Sequence, residues 1–490
     1  MSKAQIESTV VDPAVWRTVW VVLVGALAVL FDTTIVAVAL HTLSTDLRAP
    51  ISTIQWVTTG YLLALAVVIP ITGWAQRVLG AKRLWMIALA IFLVGSILSS
   101  LAWSAGSLIA FRVVQGIGGG VMMPLMSTLV MQAAGGKNLG RVMSVVSLPA
   151  VLGPILGPVI GGFILQNLHW SWMFWVNVPF CVAGLILAAV FMPADGPVTR
   201  APLDVAGFVL MAFGLVGVLW GLSNAGSGGF GHAEALWPLL AGAALLAAFV
   251  AWAQRRGQKA LLDLRLLKHW PLASSSLLLF LSGITLYGAM LLLPLYFQQL
   301  RGLTPLMAGV LLIPQGVGTF LSRSVAGRLS DTMSARWLAM AGFAVVALGT
   351  VPFAFATGQT SEMWLMAALL VRGVGLGAVT VPLMALGFRG LPRSDVPDAS
   401  IITRIASQVG GSFGSAVLAV ILTGAMATAT TTAALTRGFQ QSFAWTMGFT
   451  VTGMLISLAL PGRLPDQDRP LPQAAAATDI EDPQPATEPG

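Results

Sequence analysis

The sequence predicts an all-α membrane protein, and three observations predict it. Of 490 residues, 57% are hydrophobic and only 9% are charged, where a soluble domain carries about 25% charged residues. Apolar runs of about twenty residues recur along the chain, which is the length that crosses a hydrocarbon core of roughly 30 Å. The runs are continuous and not ten-residue alternations. Inside a bilayer the backbone must satisfy its own polar groups, so such runs are helices and not barrel strands.

Fourteen spans are expected. The first, 15–40, is one apolar run that contains Asp32. The second (53–74) and third (83–102) are separated by Arg77, Lys82 and Arg83. The fourth (106–133) carries Arg112, and Lys137 and Arg141 divide it from the fifth (141–164). The sixth (171–192) opens on tryptophans, as residues at a membrane–water interface do. A glycine-rich loop separates the seventh (204–222) from the eighth (234–254), and Arg255, Arg256, Lys259, Arg265 and Lys268 precede the ninth (272–298). Arg328 and Arg336 lie between the tenth (304–327) and eleventh (336–356), and Arg389, Arg393 and Arg404 between the twelfth (362–388) and thirteenth (400–427). The fourteenth is 441–461, and the opposite loops hold only Arg48, Arg301 and Arg437. Basic residues stay on the cytoplasmic side, so both termini are expected there, in an inner (plasma) membrane. Ala37-Val38-Ala39 has the small residues of a signal-peptide cleavage site, but the run before it is long and contains Asp32, so an uncleaved first helix is expected.

The net charge of +8 follows from this loop bias and does not call for a nucleic-acid partner. Cys181 is the only cysteine, and His41, His169, His232 and His269 show no ligand spacing, so no metal and no cofactor are expected. Gly226-Ser-Gly228-Gly-Phe-Gly231 matches a dinucleotide fingerprint by letters but lacks the preceding strand, and no phosphate-binding loop of the ATPase type occurs. No nucleotide is expected, and no Ser/His/Asp cluster points to an enzyme.

Two features carry the functional reading. Asp32 is expected to be the one acid of eighteen that lies deep in a span, where a charge costs about 2.5–3.5 kcal/mol on insertion scales. Low dielectric disfavours the ionised form of a lone carboxyl, which suits it to take a proton on one side and release it on the other. Arg112 cannot shed its charge and needs a carboxylate, backbone carbonyls or water. The second feature is a weak repeat. Arg112 through glycines to Pro124-Leu-Met is echoed by Arg372 through glycines to Pro382-Leu-Met, and Gly73–Arg83 by Gly327–Trp337. Two related halves with a solute site between them are a transporter architecture.

The motifs, in this order, resemble the major facilitator superfamily, and specifically its fourteen-span drug/proton antiporter branch, over about residues 15–460. They are Leu30-Phe31-Asp32-Thr33-Thr34-Ile35-Val36 in span 1, Arg112-Val-Val-Gln115-Gly116-Ile-Gly118-Gly119-Gly120 in span 4, the doubled Gly-Pro run Gly153-Pro154 to Gly157-Pro158 and on to Gly161-Gly162 in span 5, and the loop Gly73-Trp-Ala-Gln-Arg77-Val-Leu-Gly80-Ala-Lys82-Arg83. Gln55-Trp56 and Tyr61, Trp170 to Pro179, and Pro294 to Gln298 match as well.

The resemblance implies a major-facilitator-type fold of two pseudo-symmetric six-helix bundles plus two inserted helices. The expected layout is an N-terminus at 1–14, a bundle at 15–193, an insertion and linker at 194–270, a second bundle at 271–461 and a disordered acidic tail at 462–490. It implies proton coupling by Asp32 under the influence of Arg112, and a gate helix built on Gly153, Pro154, Gly157, Pro158, Gly161 and Gly162. It also implies a conformational latch involving Gly73, Arg77 and Gly80. The family pattern has an acid where Arg77 stands, so the latch is expected to rest on Asp331 in the second-half copy. Gln55, Trp56, Tyr61, Gln115, Tyr296, Gln315 and Gln408 are candidates to line a solute path. The function expected is proton-coupled export of small amphipathic compounds by a monomer in the lipid bilayer. The rivals are a proton–solute symporter on the same scaffold and a non-transporting membrane sensor, which would need no buried acid beside a buried arginine.

Overall fold

The computed structural model describes residues 13–36, 39–134, 142, 145, 149–196, 198, 202–392, 394–427 and 431–460. Among them there are helices and turns and no strand. The long helices are α1 (Pro13–Ile35), α2 (Ile51–Val68, continued by Ile69–Ile71 and Thr72–Leu79), α3 (Ala81–Ser100), α4 (Ala105–Ala134), α5 (Pro149–Asn167), α6 (Asn177–Phe191), α7 (Val205–Gly228) and α8 (Ala233–Arg256). They continue as α9 (Trp270–Leu295), α10 (Pro305–Thr332), α11 (Ala335–Ala354), α12 (Glu362–Phe388), α13 (Val396–Ala427) and α14 (Thr432–Ser457).

Eleven helices among the described residues are long and apolar enough to cross a membrane; α5, α10 and α14 are not in that set. Span 1 is shorter than expected, because the helix stops at Ile35 and a short helix, Leu40–Asp46, follows. The α2 rod is interrupted by a 3₁₀ turn at Ile69–Ile71, where Pro70 removes a backbone donor.

Helix packing places the site. In the first half α4 lies between α2 and α3, and α1 packs on α6, α5 and α4. In the second half α12 lies between α10 and α11, and α9 packs on α13, α12 and α14. The halves meet where α10 touches α5 and where α13 touches α4 and the end of α2. Helix α7 packs on α13 and α2, and α8 packs on α7. The α7–α8 seam is closed by glycines: a Cβ at Gly242 would lie 2.5 Å from Val218 N, and one at Gly221 2.7 Å from Leu239 N. Large apolar side chains such as Trp237, Phe213, Met363 and Trp364 are exposed on the outside, which is the surface a bilayer requires.

Small residues set how closely α4 and α12 approach their neighbours. A Cβ at Gly95 would meet Gln115 N at 2.6 Å, and one at Gly349 would meet Arg372 N at 2.5 Å. Gly116 faces Tyr61 O where Gly373 faces Gln315 O, and Gly118 faces Ala88 and Phe92 where Gly375 faces Gly342 and Val346. This register corrects the repeat expected from sequence. Arg372 occupies the place of Gln115, not of Arg112, because glycines facing the same neighbours align and the distance to the proline does not.

Candidate functional site

Asp32 sits on the last turn of α1 and Arg112 on the second turn of α4. Both are sealed from solvent, at 0% and 1% exposure. Arg112 Nη1 donates to Asp32 Oδ2 at 2.5 Å. Asp32 Oδ1 accepts from Gln115 Nε2 and from Asn177 Nδ2, each at 3.0 Å. All three partners are donors, so both carboxylate oxygens are used as acceptors, as an ionised carboxylate requires.

The rest of the cage holds these groups in place. Arg112 also donates from Nε to Val57 O at 3.2 Å and from Nη1 to Gln115 Oε1 at 2.7 Å. Its Cζ lies 4.1 Å over the Tyr61 ring and 5.7 Å from the Phe174 ring, an arrangement that favours a desolvated cation. Ser96 Oγ accepts from Gln115 Nε2 and Asn177 Nδ2 and donates to Phe174 O. Tyr61 Oη and Asn177 Oδ1 are buried without a partner. The long helices α1, α2, α3, α4 and α6 supply the cage, with Phe174 from the short helix Trp172–Trp175. Buried charge is tolerated when it is paired and further hydrogen-bonded, and both conditions hold.

The glycine stripe of α5 runs along the same stretch of α1. Gly153 lies against Leu30 O at 3.2 Å, Gly157 against Thr34 Oγ1, and Gly161 against Ile35 O at 3.2 Å, each measured from an added Cβ; Gly162 faces open space. Three of the four gate-helix glycines therefore face the turns flanking Asp32. Side chains at this spacing would push α5 off α1.

A second polar cluster lies at the end of the bundle that carries Arg77, Lys82 and Arg83. Arg77 Nη1 pairs with Asp398 Oδ1 at 3.2 Å, and Asp398 Oδ2 accepts from Asp263 N. A Cβ at Gly73 would stand 2.9 Å from Asp398 Oδ1, so Gly73 makes the room for that carboxylate. Ser400 Oγ donates to Pro124 O at 2.8 Å, which closes α13 on α4 at the same end. Gly80 has φ +87, and the Asp195 carboxylate fills the space beside it. Asp195 accepts from Lys82 N and Arg83 N and so caps α3. Arg77, one residue of the expected latch, is thus paired with Asp398 on α13, while the side chain of Asp331, on which the latch was expected to rest, lies outside the described residues. Among the described residues two more acids are buried besides Asp32, namely Asp398 and Asp204. Both sit at helix starts, where sequence position resembles a loop.

The other candidates scatter. Gln315 Oε1 accepts from Arg372 Nη1 at 2.8 Å. Trp56 stacks on Trp220 of α7 with ring centroids 4.7 Å apart. Gln408 is half-buried on α13. Tyr296 is buried: its ring packs among Phe297, Phe353, Phe439 and Phe443, and its hydroxyl donates to Thr357 O. The side chains of Gln55, Pro154, Pro158 and Asp331 lie outside the described residues, as does the tail from 461. Asn177 and Ser96 were not expected in the site; Asn177 lies in the stretch Trp170 to Pro179 that matches the family, and the signal for Ser96 is a polar residue inside an apolar run. No cluster of His, Cys, Asp or Glu fit for a metal occurs among the described residues.

Comparison with known proteins agrees with this architecture. The profile of the Major Facilitator Superfamily matches residues 22–415. The chain is 36% identical over 412 residues to a "Multidrug resistance protein B homolog" of Mycobacterium tuberculosis, covering 84% of this chain and 76% of that protein. It is 31% identical over 388 residues to the "Lincomycin resistance protein LmrB" of Listeria innocua, covering 79% and 82% respectively. Among solved structures, the proton:xylose symporter XylE superposes with a TM-score of 0.63 at 16% identity, over 92% of this chain and 97% of that one. At that identity the likeness concerns the fold alone. The chain belongs to the major facilitator superfamily, and it is a multi-pass membrane transporter and not an enzyme.

Proposed function

We propose that the chain is a proton-coupled antiporter that exports small amphipathic compounds across the inner membrane. The observation that carries the reading is the Asp32–Arg112 pair with its Gln115 and Asn177 donors, sealed inside the first half. A proton and the Arg112 guanidinium compete for the same carboxylate. Protonation of Asp32 from outside would free Arg112, and loss of that proton to the cytoplasm would restore the pair, so one site couples proton passage to rearrangement of α1 against α4. The α5 glycines packed beside Asp32 support antiport, because a close-packed helix there seals the site from the other half. The relatives named for drug and lincomycin resistance support export of foreign compounds.

In this reading all fourteen long helices span the bilayer with both termini cytoplasmic. Spans α1–α6 and α9–α14 form the two halves, within 15–193 and 271–461, and α7 and α8 with the linker (194–270) are inserted between them. The unit is a monomer. The Arg77–Asp398 pair holds the cytoplasmic ends together, and its rupture accompanies opening to the cytoplasm. One charge moved through 100 mV is worth about 2.3 kcal/mol, which sustains a gradient of about fifty-fold.

The test is proton-driven efflux in energised inside-out vesicles. Asp32→Asn protein should insert to the normal level, carry solute down its own gradient and lose coupling to the proton gradient. Undiminished proton-driven efflux by Asp32→Asn would overturn the reading. Internal acidification where alkalinisation is expected would move the chain to symport.

A further inference from the structure

The first half balances its buried charge, since Asp32 answers Arg112. The second half does not. Arg372 on α12 is 1% exposed, and its partners are all neutral: Gln315 Oε1, Thr350 Oγ1 and Thr285 O. Arg323 lies on α10, 5% exposed, with Nε and Nη1 both buried and without a partner. It packs beside Gly377 of α12, whose added Cβ would stand 3.2 Å from Arg323 Cγ. Arg404 on α13 is half-buried with Nε also unpartnered. None of the three is in a salt bridge among the described residues.

Depth relates these arginines. By helical rise, Arg323 on α10 and Arg404 on α13 both lie about 12–14 Å from the basic end, and Arg372 lies about 12 Å deeper along the α10–α12 seam. A guanidinium stays charged in a protein. Burying one without a counter-ion or a full set of acceptors is costly. Among the described residues no carboxylate pairs with any of the three arginines, which leaves a negative charge for a solute to supply.

We infer that the exported compound bears an anionic group, a carboxylate or sulfonate on an apolar body, and that Arg323 and then Arg372 bind that group on its way from the cytoplasmic end. This rests on the export reading above and narrows its solute to amphipathic anions. Arg323 is the entry cation because its Nε and Nη1 are without a partner. Arg372 is the deeper one, because its neutral partners can be exchanged for a carboxylate without stranding another charge. Guanidinium–carboxylate bonds are about twice as strong as neutral ones. Exchange of one proton inward for one monoanion outward moves two charges per cycle, so export of such a compound is driven by membrane potential as well as by pH.

The test is equilibrium binding to the purified full-length protein, which does not depend on transport. The probes are 2-naphthoate and 2-naphthylmethylammonium, a pair with the same apolar body and opposite charge. Wild type should bind 2-naphthoate at least tenfold more tightly. Arg323→Gln should abolish that preference, Arg323→Lys should restore part of it, and Arg372→Gln should weaken 2-naphthoate alone. Equal or stronger binding of the ammonium probe, no saturable binding of either probe, or an unchanged preference in both Gln variants would overturn the proposal. The same titration on Asp32→Asn separates it from the export reading: retained 2-naphthoate binding with no proton-driven flux keeps the anion site, and lost binding with intact flux removes it.

Discussion

Arg112 Nη1 reaches Asp32 Oδ2 at 2.5 Å with neither side chain open to solvent. A buried pair of this kind is destabilising to break and of little net value to keep: removal of one partner typically costs about 3–5 kcal/mol, whereas replacement of both by apolar residues is often neutral or stabilising. Arg112→Met should therefore lower the unfolding temperature in detergent markedly, as should Asp32→Leu. The double variant Asp32→Leu/Arg112→Met should recover most of that loss and still transport nothing against a gradient. Equal damage in the double variant and the sum of the singles would show that the two side chains act independently.

The Arg77–Asp398 pair joins α2 to α13, but Arg77 is 34% exposed. Screening keeps the direct coupling near the surface range of about 0.2–1 kcal/mol. Its effect is expected on conformational balance and not on folding. Arg77→Ala should leave the unfolding temperature almost unchanged and raise labelling of cysteines introduced near the Ala134 end of α4 by about 1.4- to 5-fold, the same energy range. The swap Arg77→Asp with Asp398→Arg should return labelling toward wild type. Identical labelling in all three proteins would remove the pair from the gating motion.

How much of this was legible in the chain differs between elements. The helices were, because continuous apolar length and alternating basic loops are one-dimensional signals: α3, expected at 83–102, is Ala81–Ser100, and α12 coincides with its expected range. Asp32 and Arg112 were legible because a charge inside an apolar run is costly wherever it falls. Their partners were less so. Asn177 and Ser96 are ordinary polar residues until α6 and α3 bring them to one carboxylate. Asp398 resembled a loop acid because the sequence does not show that α13 begins before it or that Gly73 leaves room for it. The repeat was seen but misregistered, since the letter pattern matched Arg112 to Arg372 whereas helix contact matches Gln115 to Arg372.

That contact register makes a prediction of its own. An added Cβ at Gly95 would stand 2.6 Å from Gln115 N and 2.7 Å from Gln115 Cα. The obstacle is helix backbone, which cannot turn aside as a side chain can. Gly95→Ala should push α3 off α4 and cost about 1–3 kcal/mol as overpacking does, while spoiling the Gln115 contact with Asp32. Gly106→Ala, where nothing lies within 4 Å of the added atom, is the control and should be neutral in both stability and efflux. A Gly95→Ala protein as stable and as active as wild type would mean that the two helices are free to separate.

Asp204 ties α7 and α8 to the segment that follows α8. Its carboxylate accepts from Gly207 N, Trp252 Nε1, Arg256 Nη1 and Leu261 N. Burial by itself would raise this carboxyl, but the bonds from Gly207, Trp252, Arg256 and Leu261 together hold it below the ordinary carboxylate range. A carboxyl whose folded-state value is depressed contributes stability that is fully present above the unfolded value of about 3.9 and is lost as pH falls through the lower folded value. Wild type should thus exceed Asp204→Asn in unfolding temperature by a constant margin from neutral pH down to about 5, and the margin should shrink below about 4 as the wild-type carboxyl takes up its proton. The measurement is the melting temperature of both proteins in detergent at steps from pH 7 to pH 3. A margin that grew on acidification would mean that the four donors do not stabilise the charged form, and that α7 and α8 are held to the segment after them by packing alone.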